Sequence, residues 1–315
     1  MKPHDVKTII ICIIYLVLFS AAANGQETLF KVIAVSGKVT CQKKVTAAWE
    51  SLRTGDKIFA GEKLKLETGD YLGLVSSKGQ SLEIKQPGIY NAADLNKNIQ
   101  KSSSTFQKFT EFVINESVAN KKKSENMTTL GAVVRNRAGL IDSFFPEYTD
   151  LLNTSFDAAW YSAGAGISYV FKLIDEDNHT VFIKETKDTS LALDLNQFGL
   201  LINHPYTWYV YSSGKDKSKS DICTFRLLAE YNIKTLTDSI NIVKKSLDVN
   251  SAVDQFILVK FYESKNLNCD ALKGFDNLVR SYPGIEDYSY NYIAFLLKQN
   301  ITRKAETLLP INNKK

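Results

Sequence analysis

The chain has 315 residues, of which 44% are hydrophobic and 23% charged, with 16 glycines and 6 prolines. This composition excludes collagen-like, low-complexity and disordered chains, and the length favours two or three domains over a single core. The formal net charge of +5 is small for such a length, and it indicates no nucleic-acid partner.

The first residues have the pattern of an export signal. Lys2 and Lys7 precede an apolar run from Ile9 to Phe19, and small residues follow at 20–25. A charged start, a short apolar stretch and a small-residue cleavage zone predict a signal peptide over 1–25. The apolar run is shorter than the roughly 20 residues of a membrane span, although an uncleaved anchor remains the alternative. No later segment is predicted to span a membrane. We therefore expect an exported mature chain that is periplasmic, at the cell surface or secreted.

Three cysteines remain after the predicted cleavage, at 41, 223 and 269. Their number is odd and they fall in three different predicted units, so we expect separate thiols rather than a disulfide framework. Asn-x-Ser/Thr sequons are open to glycosylation in a eukaryotic secretory pathway, or arise by chance in an Asn-rich bacterial chain, which is the interpretation we favour. They begin at Asn115, Asn126, Asn153, Asn178 and Asn300.

Short strands are predicted over 26–99. Alternating apolar residues such as Leu64 and Leu66, or Leu82 and Ile84, recur about every ten residues between glycine turns. Glycine suits these turns because it accepts the positive φ of a tight hairpin. The pattern predicts a compact all-β unit. Its turns are Ser36-Gly37-Lys38, Thr54-Gly55-Asp56, Ala60-Gly61-Glu62, Thr68-Gly69-Asp70 and Lys78-Gly79-Gln80.

This stretch resembles the FecR-like domain, named for bacterial iron-dicitrate signal transducers. The resemblance rests on Val35-Ser36-Gly37-Lys38-Val39, Trp49, Gly55-Asp56-Lys57-Ile58, Gly61-Glu62-Lys63-Leu64 and Gly79-Gln80-Ser81-Leu82-Glu83-Ile84. In the signalling members a sigma-factor-binding segment and a membrane span precede this domain. Only a signal-peptide pattern precedes it here, which argues against a sigma-regulator role.

A helical connector and a loop are predicted over 100–129. Phe106, Phe109, Phe112 and Val113 stand at i, i+3, i+6 and i+7, which is typical of an amphipathic helix. The lysine-rich run 121–126 predicts a solvated loop. A nucleic-acid patch would have aromatic residues between the lysines, and none are present.

A β-sandwich is predicted over 130–228, because about six strand-like runs fall within 75 residues. An early Trp160 and a late Tyr-x-Trp-x-Val strand beginning at Tyr206 resemble an immunoglobulin-like or fibronectin type III module. The resemblance implies that Trp160 packs in the core and that Tyr206 lies near a corner where the chain crosses between sheets. No cysteine pair brackets Trp160, so an antibody-type domain is not implied. The acidic run 175–178 predicts a hairpin turn, since the glycine and later glutamate of an EF-hand loop are missing.

The last part, 229–315, changes to helical periodicity. Residue pairs such as Phe261 and Phe295, or Ala271 and Ala305, stand 34 apart, and this is the tetratricopeptide period. The first copy resembles that family at Leu258, Tyr262, Ala271, Phe275, Leu278 and Pro283. We expect so short a repeat to lean on the β-sandwich, and a non-repeat helical bundle is the alternative. The predicted fold class is thus two all-β domains followed by an α-helical repeat tail.

No catalytic, cofactor or metal site is predicted. Only His179 and His204 remain in the mature chain, and no nucleophile elbow, phosphate loop or dinucleotide motif occurs. The two catalytic carboxylates of a glycoside hydrolase are brought together by the fold, so their spacing in the sequence neither indicates nor excludes such a pair. We therefore expect a non-catalytic chain without a cofactor.

The resemblances imply a scaffold or adaptor that binds a protein partner in the cell envelope. In the tetratricopeptide pattern the groove is lined by the first helix of each repeat, which places Phe256 and Lys260 in one copy and Tyr290 and Lys298 in the next. The competing interpretation buries Phe256 and Tyr290 between helices.

Two other functions remain open at this point. One is binding of cell-wall glycan through exposed aromatic side chains at Trp49, Tyr209 and Tyr211. The other is an envelope signalling component acting in trans.

Overall fold

A computed structural model of the chain describes residues 27–125, 140–213 and 218–308. The predicted signal peptide and the sequon at Asn126 lie outside these residues. Strands are concentrated before residue 228 and most of the chain after it is helical, so the prediction of β domains followed by helices is confirmed at this level.

The first β region contains two four-stranded antiparallel sheets, with strand orders β4-β1-β6-β7 and β3-β2-β5-β8. Apolar residues of both sheets, including Phe30, Cys41, Leu64 and Leu72, are fully buried and form one core. The strands are β1 (Thr28–Ser36), β2 (Thr40–Gln42), β3 (Trp49–Ser51), β4 (Lys57–Phe59), β5 (Lys63–Leu66), β6 (Tyr71–Ser76), β7 (Ser81–Ile84) and β8 (Gly88–Asn91).

The glycine turns predicted in this region are present. Each of the five turn glycines has a φ between 85° and 93°, where a side chain would be strained. At Gly37 a Cβ would also collide with the carboxylate of Asp70. That carboxylate accepts hydrogen bonds from the backbone N–H groups of Lys38 and Glu67, at 2.9 and 2.7 Å, so it ties two neighbouring turns together.

Two helices follow, α1 (Ala92–Lys97) and α2 (Ser104–Glu125). The predicted amphipathic helix is therefore confirmed, but the predicted loop over 121–126 is wrong as far as Glu125, where the helix ends. Val113 and Ile114 are buried, whereas Phe112 is 51% exposed because a helical turn of 3.6 residues carries it off the buried face. The connector is thus a core helix.

The second β region has a larger sheet with the path β10-β17-β15-β12-β13, extended by β16 and β9, and a separate pair β11-β14. Neighbours are antiparallel except β10 with β17 and β9 with β16. Side chains from both sheets share one core. The strands are β9 (Leu140–Ile141), β10 (Tyr148–Leu151), β11 (Ser155–Ala159), β12 (Tyr169–Ile174), β13 (Thr180–Thr186), β14 (Ser190–Asp194), β15 (Pro205–Ser212), β16 (Lys219–Ser220) and β17 (Cys223–Leu227), with a 3₁₀ turn at Leu195–Phe198.

The two aromatic residues singled out in this region lie where they were expected. Trp160 is 1% exposed and makes an edge-on contact with Tyr169, with ring centroids 5.7 Å apart. Tyr206 opens β15 and its hydroxyl accepts a hydrogen bond from the N–H of Leu201 at 2.7 Å. That bond bridges the corner through which the chain enters β15.

The helical region contains α3 (Glu230–Lys245), α4 (Ala252–Ser264), α5 (Asn268–Ser281), α6 (Glu286–Lys298) and α7 (Thr302–Leu308). Helices α4 and α6 each have 13 residues and begin 34 residues apart, as do α5 and α7. Asn266 and Asn300 follow α4 and α6 with φ of 56° and 61°, so the chain leaves both helices through the same left-handed turn. Within the described ranges no helix is long and apolar enough to cross a bilayer.

The helical region packs mainly on the first β region and on α2. One apolar core joins Ile33 and Tyr71 of the first sheets, Val113 of α2, and Phe256 and Tyr288 of the helices. The expectation that the helices lean on the second β region is therefore only partly right. Most residues of α4 are buried, so this helix must pack against neighbours on several of its faces. Helix α5 packs against only one of these faces.

Candidate functional site

Two of the four predicted partner-binding residues are inaccessible. Phe256 is fully buried, with its ring centroid 5.2 Å from that of Tyr288, and Lys260 is 2% exposed. These burials do not agree with an open groove on α4. Tyr290 is partly buried and its hydroxyl lies 3.2 Å from Glu286 Oε2, while the side chain of Lys298 is 62% exposed. For this second pair a partner-binding role stays a prediction.

The buried lysine belongs to an ion cluster that joins three helices. Lys260 Nζ pairs with Glu263 of its own helix and lies 2.9 Å from Glu116 Oε1 of α2. Glu263 Oε1 is also 2.9 Å from Lys298 Nζ of α6. Burial by itself would raise the pKa of Glu263, but the two ammonium groups outweigh it and hold this pKa below its ordinary value. Lys260 therefore has a structural role.

A second set of polar contacts holds the helices to the first β region. The carboxylate of Asp287, on α6, is almost fully buried. It accepts a hydrogen bond from the backbone N–H of Val35 at 2.9 Å, and Lys121 Nζ of α2 lies 2.8 Å from it. Nearby, Glu83 Oε1 accepts hydrogen bonds from Tyr71 Oη at 2.9 Å and from the N–H of Val253 at 2.8 Å. The chain's own α2, β1 and β7 thus pack on the helices and leave only part of the helix face predicted to bind a partner accessible.

The three aromatic residues proposed for glycan binding are not brought together. Tyr209 and Tyr211 are neighbours on the outer face of the larger sheet, with ring centroids 6.4 Å apart and planes 36° apart. Lys219 Nζ lies 3.8 Å from the Tyr209 centroid and covers that ring. Trp49 is 41% exposed on β3, in the other β region. No coplanar aromatic platform results from these three side chains.

A cleft of about 390 Å³ lies between the second β region and α5. Residues 144–146 and 151–153 form one part of its wall and residues 155–157 of β11 form another. From α5 the lining residues are Cys269, Asp270, Leu272 and Lys273. Apolar side chains line much of it, notably Phe145, Phe156 and Leu272. Junctions between structural regions are common places for binding sites, so we take this cleft as the candidate site.

The chain holds α5 against the second β region through β10. The N–H of Asp150 donates to the carbonyl of Asn266 at 2.9 Å, and Asn268 Nδ2 donates to the carbonyl of Tyr148 at 2.8 Å. The Asp150 carboxylate also accepts two hydrogen bonds of 2.9 Å from the guanidinium of Arg226. The first two contacts hold the start of α5 beside β10, and the paired contact fixes Asp150 of β10 to Arg226 of β17.

The charged residues that line the cleft are Asp157, Asp270 and Lys273. Burial raises the pKa of Asp270, and Lys273 and Lys244 act against this rise. Two carboxyl groups face one ammonium group here. The lining therefore favours a ligand that brings its own positive charge.

The cysteines do not supply a nucleophile. Cys41 and Cys223 are buried, Cys269 is partly buried in the cleft wall, and all three are free thiols, as the sequence predicted. Burial raises the pKa of each thiol to about 12, so the reactive thiolate is scarce at neutral pH.

The two histidines of the described chain lie at the end of the β12–β13 hairpin. His179 Nδ1 is 3.3 Å from Asp175 Oδ2, and His204 Nδ1 is 2.7 Å from Glu176 Oε1. Both are exposed. The turn predicted over 175–178 is present: Asp175 Oδ1 accepts hydrogen bonds from the N–H groups of Asp177 and His179, at 3.0 and 2.8 Å. Among the described residues no His, Cys, Asp and Glu side chains cluster as metal ligands would.

Sequence reasoning missed the cleft. One usable signal was Pro146, which follows two phenylalanines and cannot donate a hydrogen bond in a sheet. A proline there indicates that a strand ends. Nothing in the local pattern indicates that α5, more than 120 residues later, forms the opposite wall.

Neither protein-family models nor curated proteins match the chain. Among solved structures, Astrotactin-2, a vertebrate-specific, perforin-like membrane protein involved in neuronal development, has a TM-score of 0.19 at 12% identity, over 50% of this chain and 33% of that one. A β-1,2-glucanase from Parabacteroides distasonis has a TM-score of 0.23 at 7% identity, over 90% of this chain and 49% of that one. The chain thus spans about a third and about half of these two proteins. At such TM-scores neither similarity supports an inference about this protein.

Proposed function

We propose that the chain is a non-catalytic, exported envelope protein that acts as a scaffold or adaptor and binds a protein partner in the cleft between the second β region and α5. Export rests on the charged and apolar pattern of residues 1–25. Binding rests on one observation above all. The cleft of about 390 Å³ combines apolar side chains with charged residues on both walls, Asp157 on β11 and Asp270 and Lys273 on α5, whereas Phe256 and Lys260 of the helix face predicted from sequence are buried.

The architecture behind this proposal is a FecR-like domain, an immunoglobulin-like or fibronectin type III module, and a tetratricopeptide-like pair of helix hairpins. Positive-φ glycines in every predicted turn support the first. The two-sheet strand order, the buried Trp160 and the corner hydrogen bond of Tyr206 support the second. Helices repeating at 34 residues with the same exit turn support the third.

Covalent trapping in the producing cell tests where a partner binds. A photo-crosslinking amino acid is placed at Lys273, which is exposed at the cleft, or at Lys298, which is exposed on the helical face predicted from sequence. We expect a discrete adduct from position 273 and none from 298. An adduct only at 298 would return the site to the helical face. No adduct at either position would refute partner binding through both surfaces.

Export is tested separately, by sequencing the N-terminus of the mature chain. Cleavage behind the small residues 20–25 predicts a start near Asn24 or Gln26. An intact Met1 on the exported chain would contradict the signal-peptide prediction.

A further inference from the structure

Strand β11 has one paired edge and one open edge. The N–H of Trp160 donates to the carbonyl of Thr189, just before β14, at 2.9 Å, and the carbonyl of Thr154 accepts from the N–H of Leu195, just after β14, at 2.7 Å. Backbone groups alternate between the two sides of an antiparallel strand, so those of Ser155 and Asp157 are directed away from β14. In the described part of the chain no backbone group pairs with them on that side. Both residues are exposed.

The edge is open because the neighbouring segment leaves it partway. Tyr161 donates to the carbonyl of Asp142, and Phe144 donates to the carbonyl of Ala159, each at 2.8 Å. Pro146 follows, and the chain crosses to the other sheet, where β10 pairs with β17. The place beside residues 155–157 that this segment would have taken is part of the cleft.

We propose that this edge of β11 takes up an extended segment of a protein partner as an added strand, in which apolar side chains alternate with lysine or arginine. The inference rests on the proposed function and specifies its mode of binding. An unpaired strand edge offers N–H and C=O groups at the spacing that a second strand needs. Addition of a peptide strand to such an edge is a recurrent mode of recognition.

The walls of the cleft explain why apolar and cationic residues would alternate in the added strand. Successive side chains of a strand point to opposite faces, so every second residue of the added strand points into the cleft or out of it. Inward-pointing apolar side chains contact Phe145, Phe156 and Leu272. Side chains on the opposite face of the added strand lie on the same face as the exposed Asp157, whose carboxylate favours a cationic residue there.

Binding of synthetic peptides to the purified chain tests the proposal. The probe is a fluorescent heptapeptide of alternating valine and lysine, followed by polarisation. Two further versions carry N-methyl groups on the even or on the odd backbone nitrogens. A strand uses the N–H groups of one edge only, so we expect one version to bind at least about tenfold more weakly and the other to bind nearly unchanged. Equal effects of the two versions, or no binding of the parent peptide, would overturn the proposal.

A proline substitution tests the protein side. Asp157→Pro removes the N–H at the open edge while the bonds to β14 remain, and proline is tolerated where the N–H faces solvent. We expect it to weaken peptide binding at least about tenfold. Ser190→Pro, on the far edge of β14, is the matched control and should leave binding unchanged. Asp157→Asn should weaken binding less than the proline does.

Three other results would overturn strand addition. The first is equal peptide affinity in the Asp157→Pro and Ser190→Pro variants. The second is binding of a valine–glutamate heptapeptide as tight as that of the lysine probe. The third is self-association of the chain that Asp157→Pro abolishes, since a second copy would then occupy the edge. Crosslinking at position 273 in cells can succeed while all peptide tests fail, so failure of this proposal is distinguishable from failure of the proposed function.

Discussion

Replacing Lys260 by methionine tests whether the buried ion cluster holds the helical region to α2. Lys260 is 2% exposed and contacts Glu263, itself 5% exposed, and Glu116. Methionine keeps most of the aliphatic volume but leaves Glu263 with only Lys298, whose side chain is 62% exposed. Removing one partner of a buried ion pair costs about 3–5 kcal/mol, and we expect Lys260→Met to cost that much at pH 7.

Lys298→Met is the matched control, because it removes the other, exposed partner of the same carboxylate. Solvent screens the charge of Lys298, and Glu263 keeps its contact with the buried Lys260, so this variant should be destabilised clearly less than Lys260→Met. Unfolding in urea is followed by far-UV circular dichroism, which reports the helices, and by tryptophan fluorescence of a Trp49→Phe background, which reports the buried Trp160 and Trp208 in the second β region. For Lys260→Met the helical dichroism signal should be lost at a lower urea concentration than in the wild type, and this shift should be larger than the shift in fluorescence.

The decrease in unfolding free energy caused by Lys260→Met should become smaller as the pH falls. In the wild type the pKa of Glu263 lies below its ordinary value, so the carboxylate contributes stability above about pH 4.3 and loses it as pH falls through the lowered pKa. In the variant, burial with less compensation raises this pKa, and protonation in mild acid relieves the cost. A destabilisation at pH 7 no larger than that of Lys298→Met, or one that grows in acid, would refute the argument.

Four substitutions probe the packing, each measured by urea unfolding against the wild type. Ala271 is fully buried, so Ala271→Leu should cost about 1–3 kcal/mol by overpacking; a change within error would contradict close helix contact. Phe256→Ala should cost about 3–5 kcal/mol, because its ring is fully buried, whereas Tyr290→Ala at a partly exposed position should cost clearly less. Tyr206→Phe removes the hydrogen bond from the Leu201 N–H and should cost about 0.5–1.5 kcal/mol, seen in tryptophan fluorescence.

Several features of the fold could be predicted because they depend on local chemistry. A glycine between polar residues predicts a turn with positive φ, and the turn glycines of the first β region have one. The helix around Phe106–Val113 and the helix hairpins after residue 250 follow from periodicity, because apolar residues recur on the side of a helix that is buried. The periodicity did not predict that the first of these helices continues to Glu125. The core position of Trp160 follows from its size and its place in a strand.

The candidate site could not be predicted in the same way. Phe256 and Lys260 stand at groove positions in the helical pattern, but the pattern cannot show that α2 and β1, from more than 130 residues earlier, cover that face. The sequence alone does not distinguish a buried lysine from a solvated one. Lys260 is buried because the fold brings the carboxylates of Glu116 and Glu263 beside its ammonium group.

By itself the sequence determined the order of β regions and helices, the turns and the faces of the individual elements, because these depend on residues within a few positions of one another. Only the tertiary structure decided which faces remain accessible. It placed α5 beside the open edge of β11 and buried Phe256 and Lys260 against α2, and both arrangements join segments more than 100 residues apart. Burial of apolar surface is non-directional and is optimised over the whole chain, so no local pattern specifies which two faces meet.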